Sequence, residues 1–401
     1  LVQGTKNFKT KDKSNRSMML FGYGDGGGGP DPHHLARLSR LSDVAGVPKV
    51  SVGHPEAYFR SVLKDEEERL ATRAKYDAPA SETSKLARKD IPKWVGELYF
   101  ELHRGTYTTH ARNKLGNRSG EFQLQAIELL SAMASTLFAP HPLSLDALAK
   151  DQATITHLWK LLLLNQFHDV LPGTSIELVY KDSAAHYAEI QETSSRLIQA
   201  YLEHVAGSSG ASYAAFNTLC WPRTAVVEVG ADALKGAQVS ADGKQLVVIS
   251  APGMGLGASL KTAEVPASHA VVVTEISSGV IQLENEHISA KIDAFGRISS
   301  LFHKATQHES IASGELANRF IMFDDVPFFW DAWDVEIYHT EKPVAIVGYS
   351  KPGTAKIVER GPLRAVVEFT LAISDLSIIT QRISLDAVSD ILTFGTHVDW
   401  H

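Results

Sequence analysis

The chain has 401 residues, of which 44% are hydrophobic and 21% charged, and carries a formal net charge of −7. This is the make-up of a globular protein long enough for about two to four domains with sizeable cores. No long basic patch is present and no apolar run reaches membrane-spanning length, which argues against nucleic acid and membrane as partners. The single cysteine, Cys220, excludes an internal disulfide framework and a cysteine-rich zinc site, and fits a reducing compartment. Asn15-Arg16-Ser17 and Asn117-Arg118-Ser119 match the glycosylation acceptor pattern, which recurs by chance.

Residues 1–30 run from polar, through apolar Met18 to Tyr23, into a Gly-rich segment. Asp31 to Ala45 has helical spacing at Leu35, Leu38 and Leu41; Val47 to Val52 predicts a short strand and Glu56 to Leu63 a helix. The alternation predicts the tail of an α/β domain. Lys64 to Lys93 is charged, contains Pro79 and Pro92, and lacks an apolar stripe after Leu70, so it predicts a solvated insertion. Trp94 to Thr109 predicts a strand, with Leu98, Phe100 and Leu102 on one face and Glu97, Tyr99, Glu101 and His103 on the other. Residues 119–207 predict three helices. The first carries the stripe Phe122, Ala126, Leu129, Leu130, Met133 and Leu137; the second runs from about Ser144 to Phe167, and the third from Ser175 to Val205. Short connections predict antiparallel neighbours in a bundle. Beyond the turn or linker Gly207–Gly210 the apolar period becomes two. Strands are predicted at Ala225–Val229, Leu246–Ile249, Ala270–Ile276, Ile288–Ile292, Lys356–Val358, Ala365–Thr370 and Ile378–Ile383, the pattern of all-β sandwiches.

Leu164-Asn165-Gln166-Phe167-His168-Asp169-Val170-Leu171-Pro172-Gly173-Thr174-Ser175 places a His-Asp pair where one helix ends and the next begins. Leu158 to Phe167 is apolar enough for a buried helix, Pro172-Gly173 is a stop signal, and Thr174 with Glu177 reads as a capping box. Such a corner suits a metal ligand with a neighbouring carboxylate. The same residues also read as a helix end capped by His and a turn capped by Asp, and both readings stay open here. In Phe21–Pro30, six glycines around Asp25 would let the backbone approach a ligand closely. Without a following Lys-Ser/Thr, and with Asp25 repelling phosphate, it does not read as a phosphate cradle; a loop with no role reads equally well. Glu97 follows Gly96 at a strand start, a position that suits one of the two carboxyl groups a glycosidase needs; the plain alternative is a solvent-facing edge. His103-Arg104 can bind a sugar or pair with Glu101. Trp330-Asp331-Ala332-Trp333-Asp334 sets aromatic plates beside carboxylates, as sugar recognition uses, or forms a core Trp pair of a sandwich.

Taken together, these segments resemble the class II α-mannosidases of glycoside hydrolase family 38, above all the cytosolic and fungal vacuolar branch. The resemblance rests on Phe21–Pro30, Gly96–Thr109, Leu162–Ile176, Phe216–Arg223, Leu283-Glu284-Asn285, Trp330–Asp334 and Val398–His401, in the family's order. It implies a retaining exo-α-mannosidase that uses one divalent metal ion, usually zinc, on the terminal mannose of oligosaccharides. It implies His168 as a metal ligand, Asp169 near the bound sugar, and Glu97, preferred over Asp25, as the acid/base carboxylate. Tyr23, His103, Arg104, Trp330, Asp331, Trp333 and Asp334 join the expected sugar-binding set. The implied fold is multidomain α+β. Residues 1–112 are the C-terminal remnant of an α/β barrel-like catalytic domain, 113–207 a three-helix bundle, 211–270 a small β domain and 271–401 a β-sandwich. A homo-oligomer is compatible with this reading, and a cytoplasmic or vacuolar compartment is expected.

The departures carry expectations too. The family's His-x-Asp metal pair and its nucleophilic Asp precede the Gly-rich loop, and residues 1–20 contain neither. The chain opens at Leu1 and ends just past strand-like Ile391–Phe394. The expectation is a truncated sequence whose isolated chain is inactive and holds zinc poorly. Lys64–Lys93 is longer than the family needs, and His110 stands where Gln is common. Competing readings are a metal-independent glycosidase of another specificity, a non-catalytic carbohydrate-binding protein using the β half, and a purely structural protein.

Overall fold

A computed structural model describes residues 2–11, 14–24, 28–76, 94–96, 103–135, 144–206, 214–230, 238–258, 269–277, 279–351 and 355–401. The chain divides into two compact units, residues 1–99 and 100–401.

In the first unit the described residues form three helices and no strand: α1 (Val2–Asn7), α2 (Pro32–Arg40) and α3 (Pro55–Tyr76). The start of α2 is set by a reciprocal cap: the His34 N–H donates to Asp31 Oδ1 at 2.7 Å and the Asp31 N–H to His34 Nδ1 at 3.2 Å, with Pro32 in the first turn. The strand expected at Val47–Val52 does not form. Val50 turns its N–H back to the Ser42 carbonyl, and no described strand lies alongside to take up a ladder. Of the expected insertion Lys64–Lys93, the described part Lys64–Tyr76 is helical and continues α3. Ion pairs at helical spacing, Arg60–Glu56, Lys64–Glu68 and Arg69–Glu66, support a helix that shows no apolar stripe. Residues 77–93 lie outside the described part.

The second unit opens with a correction. Residues 97–102 are not described, and Arg104–Tyr107 is a 3-10 turn rather than the continuation of a strand. His103 and His110 both take left-handed backbone angles, φ +73° and +52°, which no extended run accommodates. Three helices follow: α4 (Ala111–Ala134), α5 (Leu145–Asn165) and α6 (Glu177–Ala206). They share a core of Leu124, Ile127, Leu130, Ala134, Ile155, Leu158, Leu162, Ile190, Leu197 and Tyr201. The stripe expected on α4 is out of phase. Phe122 faces solvent, and the buried seam is Asn113, Asn117, Gly120, Leu124, Ile127, Leu130 and Ala134. Its first half is polar or small, so a count of apolar residues misses it. Asn117, buried and hydrogen-bonded to Glu121, is no glycosylation acceptor in this fold.

Among the described residues every sheet is antiparallel. A two-stranded ribbon pairs β1 (Ala214–Asn217) with β5 (Gly255–Ala258), and a three-stranded sheet orders β2 (Arg223–Val229), β4 (Gln245–Ala251) and β3 (Gln238–Val239). Five strands run in the order β10 (His308–Glu309), β9 (Ile298–His303), β8 (Ile288–Ile292), β7 (Val280–Glu284) and β6 (Val272–Ser277). Four more run β13 (Lys356–Arg360), β14 (Arg364–Ala372), β15 (Ile378–Asp386) and β16 (Leu392–Asp399), and β11 (Met322–Phe323) pairs with β12 (Pro343–Val344). The five- and four-stranded sheets share one core, Ile281, Leu283, Ile288 and Ile292 against Ala365, Val367, Phe369, Leu371, Ile383 and Leu385. Each of these Val, Leu, Ile and Phe side chains contributes about 1.5–3 kcal/mol on burial. The three-stranded sheet is tied to the four-stranded one by Arg364, which pairs with Glu228 at 2.8 Å and Asp386 at 2.7 Å, and by Glu359, which accepts the Ala241 N–H at 2.8 Å. No described helix is long and apolar enough to cross a membrane.

Candidate functional site

The corner between α5 and α6 is built around one backbone carbonyl. Asp169 O accepts the Ser175 hydroxyl at 2.8 Å, the Thr174 N–H at 3.2 Å and the Tyr180 hydroxyl at 3.2 Å. The Asp169 carboxylate accepts the Thr174 hydroxyl on Oδ1 at 3.0 Å, and its Oδ2 lies 3.3 Å from His168 Nε2. The expected capping box at Thr174 is therefore not formed. Helix α6 starts at Glu177, and Thr174 spends its hydroxyl on Asp169 instead. The preceding helix is buried through Leu158 and Leu162, whereas Leu163, Leu164 and Phe167 face solvent, so the run read as wholly buried presents an open apolar face beside His168. His168 itself is largely exposed, its side chain at 76%, with the Phe167 ring tilted against it at 4.4 Å. An accessible imidazole beside a hydrogen-bonded carboxylate can bind a sugar hydroxyl or supply ligands to a cation.

The loop before α4 joins this corner to the β half. Gly173, at φ +97°, packs so closely on Thr109 that an added Cβ would lie 2.7 Å from the Thr109 carbonyl oxygen. Asn113 Nδ2 donates to the Val170 carbonyl at 2.7 Å, and the His110 ring stacks on Tyr180 at 3.9 Å. On the other side, the His103 N–H donates to Asp334 Oδ1 at 2.6 Å, the Gly105 N–H to the Trp333 carbonyl at 2.8 Å, and the Thr109 hydroxyl to the Ala332 carbonyl at 3.1 Å. The His103 and Trp333 rings approach to 4.6 Å. The segment Trp330–Asp334 is thus a tight turn closed on Trp330, which has φ +58° and an exposed ring, and not a core Trp pair. Asp331 is exposed.

Of the residues expected from the sequence, His103, Arg104, His168, Asp169, Trp330, Asp331, Trp333 and Asp334 fall on these three connected segments. Arg104 lies in the 3-10 turn, exposed. Glu97 and Asp25 lie outside the described residues. Tyr23 belongs to the first unit, where its hydroxyl donates to Asp31 Oδ2 at 3.0 Å; that bond and the Asp31 charge push its pKa up. Asp31 is held below the usual carboxylate range, chiefly by the backbone N–H of His34. Sequence reasoning missed Asn113, Lys114, Thr109 and Tyr180. A Lys or Asn near a helix start reads as a solvated face, and nothing local marks a partner about 60 residues away.

The described residues do not make up a zinc site: among them no group of three or more His, Cys, Asp or Glu is placed to share a metal ion, and zinc takes about four ligands. His168 and Asp169 provide two donors at one place.

The sequence matches the glycosyl hydrolases family 38 N-terminal domain over residues 1–97, the alpha mannosidase middle domain over 101–205 and the family 38 C-terminal domain over 283–401. It is 38% identical to human alpha-mannosidase 2C1, aligned over the whole of this chain and 35% of that protein. Alpha-mannosidase G of Dictyostelium discoideum is 32% identical, covering the whole chain and 38% of the relative. The alpha-mannosidase of Saccharomyces cerevisiae is 29% identical, covering 97% of this chain and 32% of its own length. The chain therefore spans about a third of the length of the curated relatives it matches. With three successive domains of one family matched in order, and with the His168–Asp169 corner inside the middle one, the chain belongs to glycosyl hydrolase family 38.

Proposed function

We propose that the chain is part of a retaining, metal-dependent α-mannosidase that removes terminal non-reducing α-D-mannose from oligosaccharides and glycans. The observation that supports this most is the union of the His168–Asp169 corner with the His103–Thr109 loop and, through it, with Trp330–Asp334. Imidazole, carboxylates and an exposed indole in one connected set are what hold a pyranose ring by its hydroxyls and its C–H face. In this reading Asp169, Tyr23, His103, Arg104, Trp330, Asp331, Trp333 and Asp334 bind and orient the sugar. Glu97, or failing it Asp25, gives a proton to the leaving oxygen and later takes one from the attacking water. His168 is one ligand of a divalent ion, zinc by the family's habit, which when bound would hold mannose hydroxyls. The nucleophile and the remaining ligands are assigned to the part of the relatives' length that this chain does not span. Such a site operates in a cytoplasmic or vacuolar compartment.

The reading as a non-catalytic carbohydrate-binding protein is not favoured by relatives that are named alpha-mannosidases. Release of an aryl alcohol from an aryl α-mannoside, with and without chelator, decides the matter. It is to be measured on the polypeptide extended from its own gene to the relatives' length and on its His168→Ala and Glu97→Gln variants. The expected outcome is chelator-sensitive release, abolished by His168→Ala and reduced by Glu97→Gln. Release indifferent to chelator and to His168→Ala would sink the metal role, and no release from a folded protein would sink the mannosidase reading.

A further inference from the structure

Lys114 lies in the first turn of α4, half-buried, and its ammonium donates to three main-chain carbonyls: Thr109 at 2.6 Å, Leu171 at 2.9 Å and Pro172 at 3.1 Å. An ammonium has three N–H donors, and here each meets one oxygen. No carboxylate pairs with Lys114 among the described residues, and burial pushes its pKa down. A lysine whose purpose was charge balance would sit beside an acid, and one whose purpose was packing would leave its ammonium in water. This one spends all its donors on carbonyls of two different segments. Thr109 closes the loop that carries His103 and Arg104 and meets Ala332 through its own hydroxyl; Leu171 and Pro172 belong to the corner that carries His168 and Asp169. Gly173 lies against Thr109 at the same junction, and the neighbouring Asn113 holds the Val170 carbonyl and is itself fixed by the Ser183 hydroxyl at 2.6 Å.

We infer that Lys114 is a positioning residue that sets the spacing between the His103–Thr109 loop and the His168–Asp169 corner, so that both sides of the sugar site hold one geometry. The inference rests on the mannosidase reading for its function, and on the hydrogen bonds alone for its mechanics. It assigns no contact between Lys114 and the substrate. Its effect passes through the two backbone segments it holds.

The test uses amide hydrogen exchange on the 401-residue chain, with Lys114→Met, Lys114→Gln and Lys114→Arg. Lys114→Met keeps most of the stem and removes every donor. Exchange is expected to rise at least about tenfold in residues 103–110 and 166–175 together, while amides around Leu124–Leu130 and Ile190–Leu197 keep their protection. Lys114→Arg, which restores charge and donors, should recover most of the loss; a lysine that served only to fill space would show no such rescue. Lys114→Gln, which retains two N–H donors, should give the same paired rise at smaller size and keeps the test open if Lys114→Met does not fold. A rise confined to one segment, a rise spread through the helix core, or no rise at all overturns the inference. In the extended polypeptide, Lys114→Met should lower kcat for the aryl α-mannoside about 10–100-fold with little change in KM, the effect of a displaced but present site. If the folded extended polypeptide releases no aryl alcohol while Lys114→Met still loosens both segments, the mannosidase reading fails and the bridge stands.

Discussion

The helices α4–α6 and the two facing sheets β6–β10 and β13–β16 bury side chains in different ways. The sheets close on an aliphatic and aromatic interior; Lys356, Glu368 and Arg382 stay part-buried or exposed at the surface, and the buried carboxylate of Glu359 is taken up by the Ala241 N–H. The helices do this over only part of their length. Toward Ala134 the seam of α4 is Leu124, Ile127 and Leu130, but toward Ala111 it is Asn113, Asn117 and Gly120. The polar end is the one that holds the His168–Asp169 corner through Asn113 and Lys114, and Gln166 joins Asn117 and Glu121 there at 2.9 and 3.0 Å. The difference teaches that buried polarity here serves to fix loops, whereas buried apolar surface holds the fold.

Four substitutions or conditions sharpen or break that comparison. Phe369, nearly inaccessible in the sandwich and packed against Gly296, should show the largest effect. Phe369→Ala is expected to cost about 3–5 kcal/mol in denaturant unfolding, and a loss under 1 kcal/mol would mean that the two-sheet core is not what holds this region together. Asn113→Ala removes the donor to the Val170 carbonyl, which keeps the Gly173 N–H at 3.2 Å, and leaves the Ser183 hydroxyl without its Asn113 acceptor; it should cost about 1–3 kcal/mol, with exchange rising first in the corner. If the helix cores opened equally, the division between fixing and holding would fail.

Acid tests the charged pairs. Glu368 is held below the ordinary glutamate value of 4.5 by Lys356 and Arg382, and Glu284 by Lys304. A depressed carboxylate gives stability that is fully present above its unfolded value and is lost as pH falls through its folded value. The sheets should therefore lose stability only below pH 4.5, by about 0.2–1 kcal/mol per pair, reading the unfolding midpoint against pH. A loss already complete at higher pH would point to other groups. His168→Ala should change stability least, within about 0.5 kcal/mol by thermal melting, because the side chain is exposed; a larger loss would make it a structural residue.

Much of the element pattern was legible in the residues. The apolar spacing of Ile190, Leu197 and Tyr201 marks a helix that the structure runs from Glu177 to Ala206, and the alternation in Ala365–Thr370 and Ile378–Ile383 marks two paired strands. Where reading failed, burial and pairing did not follow apolarity. The phase of α4 was missed because half of its seam is Asn and Gly. Strand β9 was missed because Ser299 and Ser300 look like turn residues. Strand-like Ile391–Phe394 marks the start of β16, but most of that strand is exposed, so its continuation to Asp399 comes from hydrogen bonds to β15 and leaves no periodic trace. The Val47–Val52 strand was expected from propensity, which cannot say whether a neighbour exists. For the candidate site, the residue types on the corner and on the Trp330–Asp334 segment were readable, but their connection was not.

The sequence by itself determined the kinds of element, the family and the residue types at the corner, because periodicity, turn chemistry and motifs are local properties. Only the tertiary structure decided that His103 meets Asp334 across 231 residues, that Thr174 serves Asp169 rather than a helix start, and that Lys114 spans two loops. In the first and the last of these one partner is a backbone N–H or carbonyl, which every residue carries alike, so the pairing is set by geometry and cannot be read from side-chain identity.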